Sequence, residues 1–262
     1  MEPWRTAITT YDDTHIWIQG YDVTELMTTA TFADVVFLLH KGRLPAAGER
    51  RIMDAILIAS ADHGPGSPSA AAARTVATGN RAAPEAAIAA GVLAIGDAHG
   101  GAGLACLELI TASIGEPPGA SEGVTAVARR AVADARETGR HLPGIGHRTH
   151  SVDPRTAVLF GLAQSAGLAS NGVAFMREVE REAAALIKPL PINIDGAIAA
   201  VLFDLGFAPA LAKLFFIVGR VAGLSAQVVE EYTRERAMRI KISARYDGPP
   251  PRVLAAKDEG VL

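Results

Sequence analysis

Three of the seven histidines in this chain occupy segments built for close contact. His99 lies in Gly96-Asp97-Ala98-His99-Gly100-Gly101-Ala102-Gly103, ahead of the apolar run Leu104–Ile110. Glycines there let backbone approach a ligand and leave the N–H groups of a following helix open. His147 closes a second constrained loop, Pro143-Gly144-Ile145-Gly146-His147, and His63 follows Asp62 in a Gly/Pro/Ser-rich stretch. Imidazole exchanges protons near neutral pH, so each suits acid–base chemistry; each, taken alone, is more often a plain surface residue. Asp195, in Leu190-Pro191-Ile192-Asn193-Ile194-Asp195-Gly196, precedes the apolar run Ala197–Leu202 and reads either as a helix N-cap or as a general base among apolar neighbours. Arg155, in the first turn of a helix, suits a carboxylate ligand or a salt bridge, and Arg220, among Phe215, Phe216, Ile217, Val218 and Leu224, requires a partner from protein or ligand.

The elements that position these residues are almost all helices. Ile8 and Thr10, then Tyr11-Asp12-Asp13-Thr14, then Ile16 and Ile18, predict a small N-terminal hairpin. Thr31 caps a helix whose apolar positions are Phe32, Val35, Val36 and Leu39, ending near Gly42. Ser121 opens another, with Val124, Val127, Ala128, Ala131 and Ala135 on one face and a stop at Gly139. Asp153-Pro154 pairs an N-cap with a proline at the first helical position. Segments 172–187, 196–205 and 209–239 complete the set, and the Pro249-Pro250-Pro251 tail is irregular. The expectation is an all-α chain with a minor N-terminal β-hairpin.

Composition removes several classes of function. The 262 residues carry a net charge of −3 with no block of like charge, which argues against nucleic-acid and anionic-membrane partners. The single cysteine, Cys106, permits no intrachain disulfide and no cysteine zinc site. His147 and His150, three apart, sit in a loop without metal-site geometry, so no metal is expected. There is no Walker loop, no Gly-x-Ser-x-Gly elbow and no complete dinucleotide fingerprint. The start lacks a signal-peptide pattern and the runs Ala86–Gly96 and Leu214–Gly219 fall short of a span, so a soluble, cytoplasmic protein is expected.

Taken in order, the segments resemble the citrate synthase superfamily. Ile18-Gln19-Gly20-Tyr21-Asp22-Val23-Thr24-Glu25-Leu26 is similar to the family's "RGYxIxxL", and Phe32–Pro45 to its "FExVAxLLxxGxLP". Ala61-Asp62-His63-Gly64, His99-Gly100-Gly101-Ala102, and Gly144–Arg148 with Asp153-Pro154-Arg155 follow. Ile192–Gly196, Gly219-Arg220-Val221-Ala222-Gly223, and Arg236–Arg239 with Tyr246-Asp247-Gly248 complete a series that spans nearly the whole chain. The resemblance implies an all-α homodimer with a cleft between a large domain (1–115 and 191–262, with a partner-reaching tail) and a small CoA-binding domain (116–190). It places the catalytic positions on His99, His147 and Asp195. Substrate carboxylates fall to His63, Arg155, Arg220 and Arg239, the last acting in the partner's site. CoA falls to the loop Pro143, Gly144, Ile145 and Gly146, with Arg148 and Lys188 as phosphate contacts or plain surface residues. No permanently bound cofactor is implied; the coenzyme A thioester is substrate.

Two departures from ordinary citrate synthases narrow the reading. The loop between His147 and Asp153 reads Arg-Thr-His-Ser-Val, one residue short, with His150 standing where a basic CoA contact is expected. Only Ala46–Ser60 joins the "GxLP" and "ADH" segments, where those enzymes carry a long helical insertion. This resembles the short citryl-CoA lyase branch, related to the C-terminal module of ATP-citrate lyase, and implies cleavage of citryl-CoA to acetyl-CoA and oxaloacetate. The alternatives are a compact citrate or 2-methylcitrate synthase, and a non-catalytic CoA-binding paralogue.

Overall fold

The computed structural model describes residues 3–115, 123–146 and 152–253. Three short strands come first: β1 (Thr9–Tyr11), β2 (Ile16–Ile18) and β3 (Tyr21–Asp22). The expected hairpin is there, with Thr9 opposite Ile18 and Tyr11 opposite Ile16. Its turn is held by the Asp12 side chain, which accepts from the N–H groups of Thr14 and His15. The hairpin grows into a three-stranded antiparallel sheet, because Gln19-Gly20, both at positive φ, makes a two-residue turn that brings in β3.

Eleven helices follow among the described residues: α1 (Val23–Thr29), α2 (Phe32–Lys41), α3 (Ala47–Ala61), α4 (Pro68–Gly79), α5 (Pro84–Leu93), α6 (Ala102–Ile114), α7 (Val124–Thr138), α8 (Pro154–Ser165), α9 (Asn171–Leu186), α10 (Ile194–Asp204) and α11 (Pro209–Arg234). The caps explain most boundaries. Thr31 and Asp34 form a reciprocal capping box on α2, and Gly42 ends it in the left-handed conformation. Gly139 ends α7 the same way, while Ser121, expected to open that helix, lies outside the described residues. Proline occupies the first turn of α4, α5, α8 and α11. The short connection read from sequence between "GxLP" and "ADH" is a single helix, α3.

Two boundaries differ from expectation, and both bear on chemistry. α10 begins at Ile194 rather than 196, because Asn193, not Asp195, supplies the cap by accepting from Gly196 N–H. α11 stops at Arg234, so Arg239 lies beyond the helix, just after a turn at Ala237-Met238. Its guanidinium donates to Glu231 through Nε (2.8 Å) and Nη2 (2.5 Å).

The main core runs through α2, α3, α6, α7, α8, α9, α10 and α11, with Phe37, Phe175, Phe203 and Phe215 fully buried. A second, alanine-rich cluster (Ala70, Ala73, Ala77, Ala87, Leu224, Val228) joins α4, α5 and α11. Small side chains let α4, α5 and α11 approach closely. α11 is long and apolar enough to cross a membrane by length and composition, yet it packs against α3, α4, α5, α6 and α10. It also carries the buried charges Arg220 and Glu231.

Glu231 is fully buried between Arg74 (3.0 Å) and Arg239. The Arg239 hydrogen bonds, aided by Arg74, hold its carboxyl below the ordinary glutamate range against the opposing effect of burial. A carboxyl depressed on folding contributes stability above its unfolded pKa and loses it as pH falls through the folded value. Glu231→Gln is therefore expected to lose about 2 kcal/mol at pH 7, and the deficit should shrink below about pH 4.5, as urea unfolding at several pH values will show.

Candidate active site

Six segments converge on one cleft: the end of α3, the loop between α3 and α4, the bend before α6, the starts of α8 and α10, and the middle of α11. The cleft holds about 130 Å³ and is lined by His63, His99, Arg155, Asp195, Arg220 and Phe216, among others. It opens into a larger, mainly apolar cavity of about 640 Å³ between α3 and α8, which shares Ala59, His63, Arg155 and Ile194 with it. The N-terminal turns of α8 and α10 line this cleft, and their helix dipoles favour an anionic guest.

His99 is set by its glycines and by a buried serine. Gly96 and His99 exchange backbone hydrogen bonds (2.9 and 3.3 Å), forming a tight bend. Gly100 has φ of +77°, and a Cβ there would lie 2.6 Å from Phe216 Cε1, so no other residue fits. The ring meets Phe216 edge to face, with centroids 6.0 Å apart. Its Nε2 accepts from Ser69 N–H (3.3 Å), a first-turn donor of α4, and lies 2.9 Å from Ser69 Oγ. A nitrogen that accepts an amide proton cannot carry its own, so neutral His99 is protonated on Nδ1. Ser69 Oγ also accepts from Arg220 Nη1 (3.0 Å), which turns the hydroxyl proton toward His99. Nothing in sequence marks Ser69; it is the second residue of a proline-led helix, and only folding shows that it is buried.

Arg220 finds its partners within the protein. Its Nε donates to Ser60 O (2.9 Å) and its guanidinium stacks on Phe216 at 4.7 Å. Burial lowers its pKa, opposed by the charges of Asp62 and Asp195. The flanking glycines explain how it gets there: a Cβ on Gly219 would lie 2.7 Å from Leu57 O, and Gly223 abuts Ala61 and Asp62. α11 thus crosses directly on the α3 backbone and places Arg220 beneath the last carbonyls of α3.

Arg155 is held by Asp153 through Nε (3.0 Å) and Nη2 (2.8 Å), and donates through Nη1 to Ala59 O (3.1 Å). Burial pushes the Asp153 carboxyl up, but the Arg155 hydrogen bonds and charge prevail and hold it below the usual range. Asp195, relieved of capping by Asn193, sits half-buried in the first turn of α10 and lines the cleft. His63 is exposed at the rim.

The loop Pro143, Gly144, Ile145, Gly146 packs directly on the start of α10. Gly146 N–H donates to Pro191 O (2.7 Å), Asn193 N–H to Gly144 O (3.1 Å), and Asn193 Nδ2 to Gly146 O (2.8 Å). Several of the loop's backbone groups are thus committed to the segment before Asp195. His147 and Arg148, like His150, lie outside the described residues. Lys188 is exposed beyond α9, and neither it nor Arg239 lines either cavity. Among the described residues no three of His, Cys, Asp and Glu cluster for a metal.

Gly144→Ala is expected to cost about 3 kcal/mol. Gly144 has φ of +82°, and its Cβ would fall 2.6 Å from Cys106 Sγ and 2.7 Å from Gly196 Cα. Denaturant melts that leave the midpoint unmoved would contradict this.

Residues 46–241 match the family model for the citrate synthase C-terminal domain. The chain belongs to the citrate synthase family. Citryl-CoA lyase from Hydrogenobacter thermophilus is 37% identical and superposes with a TM-score of 0.88, over 97% of this chain and 98% of that one. ATP citrate lyase from Methanosaeta concilii, in complex with (3S)-citryl-CoA, is 20% identical with a TM-score of 0.74; 94% of this chain matches 43% of that one, a likeness of fold. Citrate synthase from Haloferax volcanii is 32% identical over 120 residues, 45% of this chain and 31% of that enzyme.

Proposed function

We propose that the protein cleaves citryl-CoA to acetyl-CoA and oxaloacetate. The observation that carries this is the convergence of His63, His99, Arg155, Asp195 and Arg220 on one cleft. The likeness to the Hydrogenobacter citryl-CoA lyase over nearly the full length of both chains supports the lyase direction. In cleavage, His147 takes the proton of the citryl hydroxyl. The carbon–carbon bond breaks, and its electron pair moves into the thioester as an enolate. His99 Nδ1–H hydrogen-bonds the thioester oxygen, and Asp195, entering as the acid, delivers a proton to the methylene carbon to give acetyl-CoA. Arg155 and Arg220, with His63, meet the carboxylates of the oxaloacetate half. Segment 116–190 forms the CoA-binding lobe, with the loop Pro143–Gly146 at the adenine and Arg148 and Lys188 near phosphate.

The working unit is a cytoplasmic homodimer in which Arg239 serves the partner's cleft. The exposure of Leu93 and Val229 on α5 and α11 supports a dimer, and Arg239 reaches the partner's cleft by exchanging its ion pairs with Glu231 and Glu235 for a substrate carboxylate. Light scattering on purified protein tests it; a monomer at micromolar concentration would remove it.

A synthase reading is favoured by the Haloferax likeness, and the two reactions share their machinery. Purified protein is given citryl-CoA with oxaloacetate followed by a coupled dehydrogenase, and separately acetyl-CoA with oxaloacetate followed by free thiol. Oxaloacetate release without rapid thiol release is expected. Rapid free CoA from the second mixture overturns the lyase reading in favour of the synthase, and no turnover in either favours a non-catalytic CoA-binding protein.

A further inference from the structure

Asp153 does far more than cap a helix. A cap needs one oxygen and one backbone N–H. Asp153, 1% exposed, uses both oxygens: Oδ1 accepts from Arg155 N–H (3.1 Å) and Nε (3.0 Å), and Oδ2 accepts from Arg155 Nη2 (2.8 Å) and from Ile194 N–H (3.0 Å). A carboxylate offers about four acceptor positions, and all four are engaged. Two of the bonds fix the Arg155 guanidinium, whose Nη1 is tied to Ala59 O on α3. The fourth satisfies an otherwise orphaned donor at the first residue of α10, next to Asp195.

We propose that Asp153 is a positioning residue that couples the substrate-binding arginine to the catalytic turn of α10. The roles of Arg155 and Asp195 in this statement rest on the reading given above. The link joins positions forty-one residues apart in sequence through one buried side chain. A carboxylate bound at the outer edge of Arg155 loads the same Asp153 that holds the Ile194 amide, so occupancy of the oxaloacetate site is transmitted to the backbone beside Asp195. Asn193 cannot replace it, because its carbonyl oxygen serves Gly196 N–H and its amide serves Gly146 O.

Asp153→Asn and Asp153→Ser both keep a good N-cap on α8 while removing the second charged oxygen. Both are expected to lower kcat for citryl-CoA cleavage by about tenfold or more and to raise KM by a similar factor. Peptide-level hydrogen exchange over residues 190–198 is expected to slow when oxaloacetate binds the unaltered protein, and to lose that response in both variants. Variants with lowered melting temperature but unchanged kcat, KM and exchange response would show a purely structural cap and overturn the proposal, as would failure of both to fold. If the unaltered protein turns over no citryl-CoA, the lyase reading falls separately. The exchange response to oxaloacetate then decides the coupling by itself, and its absence from the unaltered protein overturns it.

Discussion

Replacing Asp195 by Asn is expected to lower kcat by about 10³-fold while leaving oxaloacetate affinity within about threefold of the unaltered protein. The asymmetry follows from position. Asp195 stands in the first turn of α10 with its cap duty taken by Asn193, so its side chain faces the cleft and is not needed to start the helix. An amide of the same shape keeps the packing and cannot exchange a proton with carbon. The carboxylate binders, Arg155 and Arg220, are anchored by Asp153, Ala59, Ser60 and Ser69, none of which depends on the Asp195 side chain. Asp195 also bears on the pKa of Arg220, which is why a small change in affinity is allowed. Single-turnover cleavage together with oxaloacetate titration separates the two quantities; turnover retained within tenfold would eliminate Asp195 as the proton-transfer group.

The second large effect is expected at Arg220. Arg220→Lys should raise KM by about 10²-fold and lower kcat as well, although the positive charge is kept. One guanidinium reaches Ser60 O through Nε and Ser69 Oγ through Nη1 while sitting over the Phe216 ring. An ammonium is a compact point charge and cannot span those partners from one position. The loss at Ser69 matters most. Its hydroxyl is oriented by accepting from Arg220 and is then directed at His99 Nε2, so without the guanidinium the proton on Nδ1 is less firmly placed. If the Lys variant were to match the unaltered protein in both constants, the Arg220–Ser69–His99 relay would carry no catalytic weight.

Helices with strong local signals were legible in the chain itself. Thr31 with Asp34, Gly42, Gly139 and Asp153-Pro154 mark their boundaries within a residue or so, because capping and left-handed glycine stops involve near neighbours in sequence. The third strand was harder to see, since Gln19-Gly20 is a weak turn pair beside a two-residue strand. The α10 boundary is ambiguous in the sequence because Asn193 and Asp195 are both competent caps, and the choice between them depends on which side chain the neighbouring loop engages. Asn193 also donates to Gly146, and that contact bridges forty-seven positions.

What the sequence by itself determined is the set of chemical groups and the local turns that present them: glycines around His99, a proline-led arginine helix, and an aspartate at a helix start. Tertiary structure alone decided how those groups are joined. Ser69 fixes the His99 tautomer, Gly219 and Gly223 let α11 lie on α3 so that Arg220 meets Ser60, and Asp153 ties Arg155 to Ile194. The physical reason is range. Propensity and capping act over a few residues, whereas a buried hydrogen bond or a backbone-to-backbone approach joins residues whose separation in sequence carries no trace of their contact.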